Sequence, residues 1–286
     1  MTSLVQGQRT LGRTALRSLA ARHGVRPKKS LGQHYLADPN LARRIAALAG
    51  TGPGDHILEV GAGLGSLTVA LAESGAEVLA LEVDRRVAMA LREAVAPYPS
   101  VRVLVADAME VDWPKLVGSG SWKMASNLPY NIAVPVIIEL LERTSITDYV
   151  VMVQREVGDR LAAGPGDDAY GAVSVRIRYR ADARVLRRVP PGVFWPAPRV
   201  ESVLLRITPR EPPVDVPEDR LFEVVDEGFA QRRKTMAGAL VRLGMERPSA
   251  AEALERCGID PRARAETLGL EDFACLAERI AQTRRG

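Results

Sequence analysis

The chain has 286 residues, of which 47% are hydrophobic, with a formal net charge of +4 and a pI near 9.3. This length suffices for one large core plus a smaller domain, and the excess of bases is a mild bias toward polyanionic partners. No run of about 18 uncharged apolar residues is present, which excludes a membrane-spanning helix. The three histidines and two cysteines match neither a metal-site spacing nor a nucleophile with its base, and two cysteines without a framework indicate a reducing compartment.

The N-terminal arm, positions 1 to 37, contains seven basic residues and no acidic one. Arg9, Arg13 and Arg17 recur at a spacing that places them on one face of a helix. With Lys28 and Lys29 they form a basic arm that can contact RNA phosphates, and such binding would weaken with salt. A mitochondrial transit peptide and a merely solvated arm have the same composition. We favour an RNA-contacting or solvated arm in a bacterial cytosolic protein.

The first strongly apolar strand, at 57–60, runs into glycines at alternate positions, Gly61, Gly63 and Gly65, and then into a helical pattern. Glycines allow a tight turn and let a ligand lie against the main chain, next to the positive end of the following helix. Such a match is weak by itself, because a tight turn in any doubly wound sheet has the same appearance.

Acidic residues follow the next two predicted strands. Glu82 ends the strand at 77–81, where a carboxylate can accept hydrogen bonds from both hydroxyls of a ribose. Asp107 follows the strand at 101–105 and is placed to meet an adenine amino group. Asp84 and Asp107 could instead cap the helices that follow them. We prefer the cap for Asp84 and ligand contact for Glu82 and Asp107, because these two belong to an ordered series of strand ends.

The segment Asn127-Leu128-Pro129-Tyr130 continues that series. The Asn127 side-chain oxygen and the Leu128 carbonyl can both accept hydrogen bonds from one exocyclic amine, while the Tyr130 ring stacks on the attached heterocycle. This combination indicates a site for the N6 amine of adenine. An ordinary turn leading into the apolar helix at 132–141 is the alternative.

A flipped-out adenine needs a second aromatic face. Phe194, in the proline-rich loop at 190–198, is our candidate. A plain core aromatic beneath that loop is the alternative interpretation.

The proline-rich stretch at 208–213 separates two patterns. Before it, strands and helices alternate as a parallel sheet with crossover helices requires, with strands predicted at 150–154 and 173–179. After it, helices are predicted at 219–229, 235–243, 249–257 and 270–282. We therefore predict an α/β domain over 1–208 and a helical domain over 209–286. A second basic region that could bind RNA opens with Arg232, Arg233 and Lys234.

Taken together, these motifs resemble the rRNA adenine N6,N6-dimethyltransferase family, of the KsgA type that modifies two adjacent adenines near the 3′ end of small-subunit rRNA. The resemblance extends from about residue 28 to about residue 270. Besides the glycine turn and the Asn-Leu-Pro-Tyr motif, it rests on KSLGQHYL at 29–36, QREV at 154–157, AYG at 169–171, FWPAPRVES at 194–202 and FAQRRKT at 229–235.

The resemblance implies a Rossmann-like class I S-adenosylmethionine-dependent methyltransferase domain with a small C-terminal α-helical domain. It also implies an S-adenosylmethionine pocket that uses Gly61, Gly63, Glu82, Asp107 and Asn127, together with the segment at His34 and Leu36. His34 stands where the family usually has Asn, and an imidazole can accept or donate one hydrogen bond but not both, as an amide does. Tyr35 replaces a usual Phe and Ala62 a usual Pro, and we expect neither to disturb the chemistry.

The implied substrate is 16S rRNA in an immature small ribosomal subunit, acted on by a cytoplasmic protein. We expect a monomer, because no sustained heptad or exposed sticky strand is present. Two alternatives stay open: a 23S rRNA adenine methyltransferase of the antibiotic-resistance type, and a non-catalytic ribosome-assembly factor that binds RNA. Gly32, Gln33 and the 169–171 region favour the small-subunit enzyme over the first. The intact Asn-Leu-Pro-Tyr motif argues against the second.

Overall fold

The computed structural model describes residues 11–27, 33–231 and 233–283. Contacts divide the chain into two compact units. The first extends to Gly158 and includes Arg184–Pro209, and the second comprises Asp159–Ala183 and the chain from Arg210 onward.

The strands form a seven-stranded sheet and a two-stranded ribbon. Their bounds are β1 Tyr35–Leu36, β2 His56–Val60, β3 Glu77–Glu82, β4 Val101–Val105, β5 Trp122–Asn127, β6 Ile146–Gln154, β7 Ala181–Val189, β8 Phe194–Trp195 and β9 Ser202–Pro209. The large sheet has the order β4-β3-β2-β5-β6-β9-β7, and β1 pairs with β8. Strands β2 to β6 pair in parallel, whereas β9 runs antiparallel to β6. The parallel pairing brings the ends of β2, β3, β4 and β5 to one edge, where such folds bind ligands.

Helices follow most strands of the first unit. They are α1 Arg13–Arg22, α2 Pro39–Leu48, α3 Ser66–Glu73, α4 Arg85–Val95, α5 Trp113–Val117, α6 Ala133–Arg143 and α7 Arg155–Ala162, whose last residues enter the second unit. Asp84 caps α4, since its Oδ1 accepts hydrogen bonds from the amides of Arg86 at 2.9 Å and Val87 at 3.4 Å. The prediction of a cap for Asp84 is confirmed. The central strands are buried on both faces, as crossover helices on both sides of a sheet require.

The second unit is helical. It contains α8 Ala172–Arg180, α9 Glu218–Ala230, α10 Met236–Arg242, α11 Arg247–Arg256 and α12 Leu270–Thr283. The segment predicted as a strand at 173–179 is helix α8. Its alternating residues favour a strand locally, but Ser174, Val175 and Ile177 all contribute to a buried helical face. Tertiary packing has overridden the local preference.

The predicted domain boundary near Pro209 coincides with a boundary of the units, but residues 159–183 belong with the helices rather than with the sheet. The physical reason is that this segment supplies side chains to the helical core. The Tyr170 hydroxyl donates to the Leu268 carbonyl at 2.9 Å, and the Tyr179 ring meets Phe222 edge-on at 5.4 Å. An insertion from the middle of the chain therefore completes the helical unit.

The two cysteines also differ from expectation. Cys257, which follows α11, and Cys275 in α12 form a disulfide within the helical unit. The sequence shows no cysteine framework, so the inference of a reducing compartment from unpaired cysteines loses its basis. Among the described residues, no helix has the length and apolar character needed to cross a membrane.

A test of the packing concerns Gly158 in α7. A Cβ at this position would lie 2.1 Å from Cγ2 of Val203, a side chain that is stiff and fully buried. We expect Gly158→Ala to lower the free energy of unfolding by about 1–3 kcal/mol through overpacking, measured by denaturant unfolding. The control is Gly192→Ala, because a Cβ there meets nothing within 4 Å. Equal stability of the two variants would contradict this packing.

Candidate active site

A single pocket lies at the carboxyl edge of the parallel strands and brings most of the predicted site residues together. The predicted residues that line it are His34, Leu36, Gly61, Gly63, Glu82, Asp107, Asn127, Leu128 and Tyr130. They come from the ends of β2, β3, β4 and β5 and from the segment around β1. Residues far apart in sequence thus meet because parallel strands end at the same edge.

The glycine turn after β2 packs directly against the Asn-Leu-Pro-Tyr motif. Gly61 has φ +74°, and a Cβ there would lie 2.6 Å from Cδ of Pro129. Gly63 has φ +59°, and a Cβ there would lie 2.8 Å from Cδ1 of Tyr35. Both the left-handed backbone and the close neighbours therefore require glycine. The turn therefore packs tightly against Pro129 and Tyr35, two other residues of the pocket lining.

Glu82 is fixed at the end of β3, where it is 7% exposed. Its Oε2 accepts a hydrogen bond from the Gly63 amide at 2.9 Å, and its Oε1 accepts from the Asp84 amide at 3.0 Å. Burial raises the pKa of the Glu82 carboxyl, and these backbone hydrogen bonds oppose the shift. Each oxygen keeps acceptor capacity for a ligand hydroxyl.

A second buried carboxyl, Glu59, also lines the pocket and was not predicted. It is 1% exposed, and its Oε2 has no hydrogen-bond partner among the described residues. Burial raises the pKa of Glu59 to about 8. The signal in the sequence is a lone acid inside an apolar strand, directly before the glycine turn. Because burial favours the neutral form of this carboxyl, a cationic ligand in the pocket would act in the opposite direction and favour the charged form.

Asn127 ends β5 with its side-chain amide held in one orientation. Its Nδ2 donates to the backbone carbonyl of His34 at 3.0 Å. Because a carbonyl can only accept, this bond identifies Nδ2 and leaves Oδ1 as the acceptor for a ligand. The next residue, Leu128, is anchored by its amide, which donates to the Met152 carbonyl at 3.1 Å.

Two rings stand beside this acceptor. The Tyr130 hydroxyl is hydrogen-bonded to Ser202 Oγ at 2.8 Å, and the Tyr130 ring lies 5.7 Å from the His34 ring, centroid to centroid. His34 Nδ1 lies 2.8 Å from the Pro196 carbonyl and must donate to it. Nε2 of the imidazole therefore stays available for other partners, while Nδ1 holds the ring against the proline-rich loop.

Phe194 is not part of the pocket. Its side chain is fully buried, and its backbone pairs with Leu36 in the β1–β8 ribbon. Both side chains belong to the core beneath the sheet edge. The structure contradicts the predicted role of Phe194 as a face of the base site, and the interpretation as a core aromatic is the one it supports.

Asp107 and the predicted RNA-binding residues differ in where the structure places them. Asp107 is exposed at the pocket. Its Oδ1 accepts a hydrogen bond from the Met109 amide at 2.9 Å and so stabilises its own turn. Arg233 and Lys234 are exposed in the second unit. Lys28, Lys29 and Arg232 lie outside the described residues.

Comparison with known proteins places these motifs in context. The profile of the family described as ribosomal RNA adenine dimethylase matches residues 24–282. The chain is 44% identical over 283 residues to ribosomal RNA small subunit methyltransferase A of Moorella thermoacetica, covering 95% of this chain and 98% of that protein. It is 45% identical over 270 residues to the protein of the same name from Thermobifida fusca, covering 92% and 93%.

Solved structures give the same result for the fold. The 23S rRNA methyltransferase ErmE superposes with a TM-score of 0.69 and 26% identity, covering 87% of this chain and 100% of that one. A dimethyladenosine transferase from Plasmodium falciparum superposes with a TM-score of 0.74 and 22% identity, covering 88% and 98%. The predicted α/β fold of class I methyltransferases is confirmed.

The buried Glu59 makes stability depend on pH. A carboxyl whose pKa is higher in the folded than in the unfolded protein binds more protons when folded, so folding stability falls as pH rises from about 4.5 to about 8. We expect Glu59→Gln, measured by denaturant unfolding, to be more stable than the parent by roughly 1–3 kcal/mol at pH 8. The difference should shrink toward pH 4.5. The control is Glu110→Gln at an exposed position, and a pH-independent Glu59→Gln difference would contradict the assignment.

Proposed function

The chain belongs to the ribosomal RNA adenine dimethylase family, and we propose that it transfers methyl groups from S-adenosylmethionine to the N6 amine of adenosines in small-subunit rRNA. The family match covers residues 24–282, and the two relatives named as small-subunit methyltransferases match over more than nine-tenths of the chain. The pocket supplies independent support, because its acceptors suit an amine and its carboxyls suit a cation and a ribose.

The residues around the glycine turn fit S-adenosylmethionine. Gly61 and Gly63 allow the tight turn that lines the pocket beside Pro129 and Tyr35. Glu82 offers acceptors for ribose hydroxyls, and the Asp107 carboxylate could accept a hydrogen bond from the adenine amine of the cofactor. Oε2 of Glu59, which has no hydrogen-bond partner among the described residues, would be favoured in its charged form by the positive charge of the cofactor. When bound, S-adenosylmethionine supplies a methyl group already activated by the sulfonium charge.

The chemistry asked of the protein is to prepare a poor nucleophile. The N6 lone pair of adenine is delocalised into the ring and becomes available only as the nitrogen pyramidalises. Two acceptors arranged for a tetrahedral amine, Asn127 Oδ1 and the Leu128 carbonyl, would bind the transition state better than the planar ground state. Tyr130 would hold the base by stacking. No side-chain base is needed, because the proton lost by the methylated nitrogen can pass to water.

One observation carries this proposal: the hydrogen bond from Asn127 Nδ2 to the His34 carbonyl. It orients the amide so that its oxygen, rather than its nitrogen, is left for the substrate. In the reverse orientation Nδ2 of Asn127 would face the substrate amine. Both groups would then be N–H donors, and no hydrogen bond could form between them.

The finer features of the reaction are part of the same proposal. We propose that the substrate is a pair of adjacent adenosines near the 3′ end of 16S rRNA in an immature small subunit, and that a cytoplasmic monomer acts on it during ribosome biogenesis. Likeness to the relatives named as small-subunit methyltransferases supports this over the large-subunit alternative, since identity to them is 44–45% against 26% to ErmE. The oriented Asn127 supports an enzyme over a non-catalytic RNA-binding factor.

Substrate choice is tested with unmethylated ribosomal subunits. The protein is incubated with isotopically labelled S-adenosylmethionine and either small or large subunits, and the digested RNA is analysed by mass spectrometry. We expect labelled dimethyladenosine in small-subunit RNA alone. Label in large-subunit RNA would overturn the substrate assignment, and RNA binding without any label would support the non-catalytic alternative.

The role of Asn127 is tested by Asn127→Ala. Loss of the oriented acceptor should abolish methyl transfer to small subunits, by at least about 100-fold, which is the effect of removing one preorganised polar group in other active sites. Binding of the RNA, measured by filter retention, should be largely preserved. Asn40→Ala, at an exposed position of α2, is the control and should retain both activities. Equal loss of transfer and binding in Asn127→Ala would mean that the residue is structural.

A further inference from the structure

The wall of the pocket is continuous with a short ribbon. Four consecutive residues of the N-terminal segment contact four consecutive residues of the proline-rich loop: His34 Nδ1 with the Pro196 carbonyl, Tyr35 with Trp195, Leu36 with Phe194, and the Ala37 amide with the Val193 carbonyl. His34 and Tyr35 also line the pocket. Any side chain exposed on this ribbon is therefore held at a fixed position beside the base site.

Trp195 is such a side chain. It is half-buried, and its ring lies 6.1 Å from the Tyr35 ring, centroid to centroid, with the planes tilted by 34°. Because neighbouring residues of a strand point to opposite faces, Phe194 enters the core beneath the sheet edge, whereas Trp195 packs, half-buried, against the cluster that α1 forms with Tyr35. Tyr35 lines the pocket, so the Trp195 indole lies directly behind a residue of the pocket wall. The methyl transfer proposed above does not involve this indole.

A cation accompanies this indole. The Arg17 guanidinium carbon lies 5.9 Å from the centroid of the Trp195 ring, and Arg17 is exposed on α1. Within the described part of the chain, no carboxylate forms an ion pair with Arg17, whereas Arg22 on the same helix pairs with Glu93. Arg13 Nη2 donates to the Gly192 carbonyl at 2.6 Å, which ties α1 to the same loop. This bond holds the helix that carries Arg17 against the loop that carries Trp195.

We propose that Trp195 and Arg17 form a binding site for the nucleotide next to the target adenosine, with its base stacked on the indole and its phosphate beside the guanidinium. The proposal rests on the proposed function, because extrusion of an adenosine leaves its neighbour with an unstacked face. An aromatic ring with an adjacent arginine is the combination that single-stranded RNA binds, and the stacking contribution of each base is about 1–3 kcal/mol. The site selects single-stranded RNA by its chemistry and adds to affinity without entering the methyl-transfer step.

A matched control is available in the same chain. Trp122 is also half-buried, and its ring lies 5.3 Å from the His56 ring, centroid to centroid. It is the first residue of β5 and therefore lies at the opposite edge of the sheet from the pocket. Trp195→Leu and Trp122→Leu therefore remove the same side chain at the pocket edge and at the far edge.

The first measurement is steady-state methylation of unmethylated small subunits at saturating S-adenosylmethionine. We expect Trp195→Leu to raise KM for the subunit at least about fivefold, as the loss of about 1 kcal/mol of stacking requires, with kcat and the Kd of the cofactor unchanged. Trp195→Phe should recover most of the affinity. Arg17→Gln should raise KM and reduce the slope of log KM against log salt by about 1. A Trp195→Leu enzyme with the KM of Trp122→Leu would overturn the proposal.

The second measurement does not depend on catalysis or on the leucine variant folding. In Trp122→Phe protein the remaining indoles are Trp195 and the fully buried Trp113. Single-stranded oligoadenylate should quench the fluorescence of this protein, and the quenching should disappear in Trp122→Phe/Trp195→Phe. Polyphosphate of equal charge should not quench. Quenching that persists without Trp195, or that polyphosphate reproduces, would overturn base stacking. If the parent protein methylates no subunit, the proposed function is wrong. The fluorescence titration would still show whether Trp195 binds a nucleotide base.

Discussion

The hydrogen bond between Asn127 Nδ2 and the His34 carbonyl is the contact on which the chemistry of the pocket depends. It joins the end of β5 to the segment before β1, two parts of the chain that are far apart in sequence. It fixes the polarity of the amide, so that an acceptor faces the pocket. His34 is itself held by the Pro196 carbonyl, and the glycine turn at Gly61 packs on Pro129 in the same motif. The acceptor is preorganised by backbone groups rather than by other side chains, which is an arrangement that costs little reorganisation during reaction.

The carboxyls beneath the pocket have a different role. Glu59 and Glu82 are both buried, and desolvation raises the pKa of each. Burying these carboxyls in their charged form destabilises the folded protein. A cationic ligand in the pocket would favour that charged form. The pocket thus keeps binding capacity for a sulfonium cofactor at the expense of some stability, as functional sites often do.

The sequence predicts the sheet and the edge of the pocket because parallel strands place their carboxyl ends together whatever the details of packing. Glu82, Asp107 and Asn127 could therefore be placed at this edge of the sheet in advance. Burial could not be predicted for Phe194, because the outcome depends on which face of the β1–β8 ribbon meets the core. Helix α8 could not be predicted because its alternating residues favour a strand locally. The contribution of 159–183 to the helical unit depends on contacts with residues far along the chain. The disulfide between Cys257 and Cys275 likewise follows only from the fold.

The central claim is that two acceptors of the Asn-Leu-Pro-Tyr motif grip the amine of the target base. The most direct measurement is a crystal structure of the protein with S-adenosylhomocysteine and adenosine monophosphate bound together. The account predicts that N6 of the substrate adenine lies within about 3.2 Å of both Asn127 Oδ1 and the Leu128 carbonyl, as hydrogen bonds require. An adenine bound in the pocket with N6 turned away from both oxygens, or hydrogen-bonded to Asn127 through a reversed amide, would contradict it.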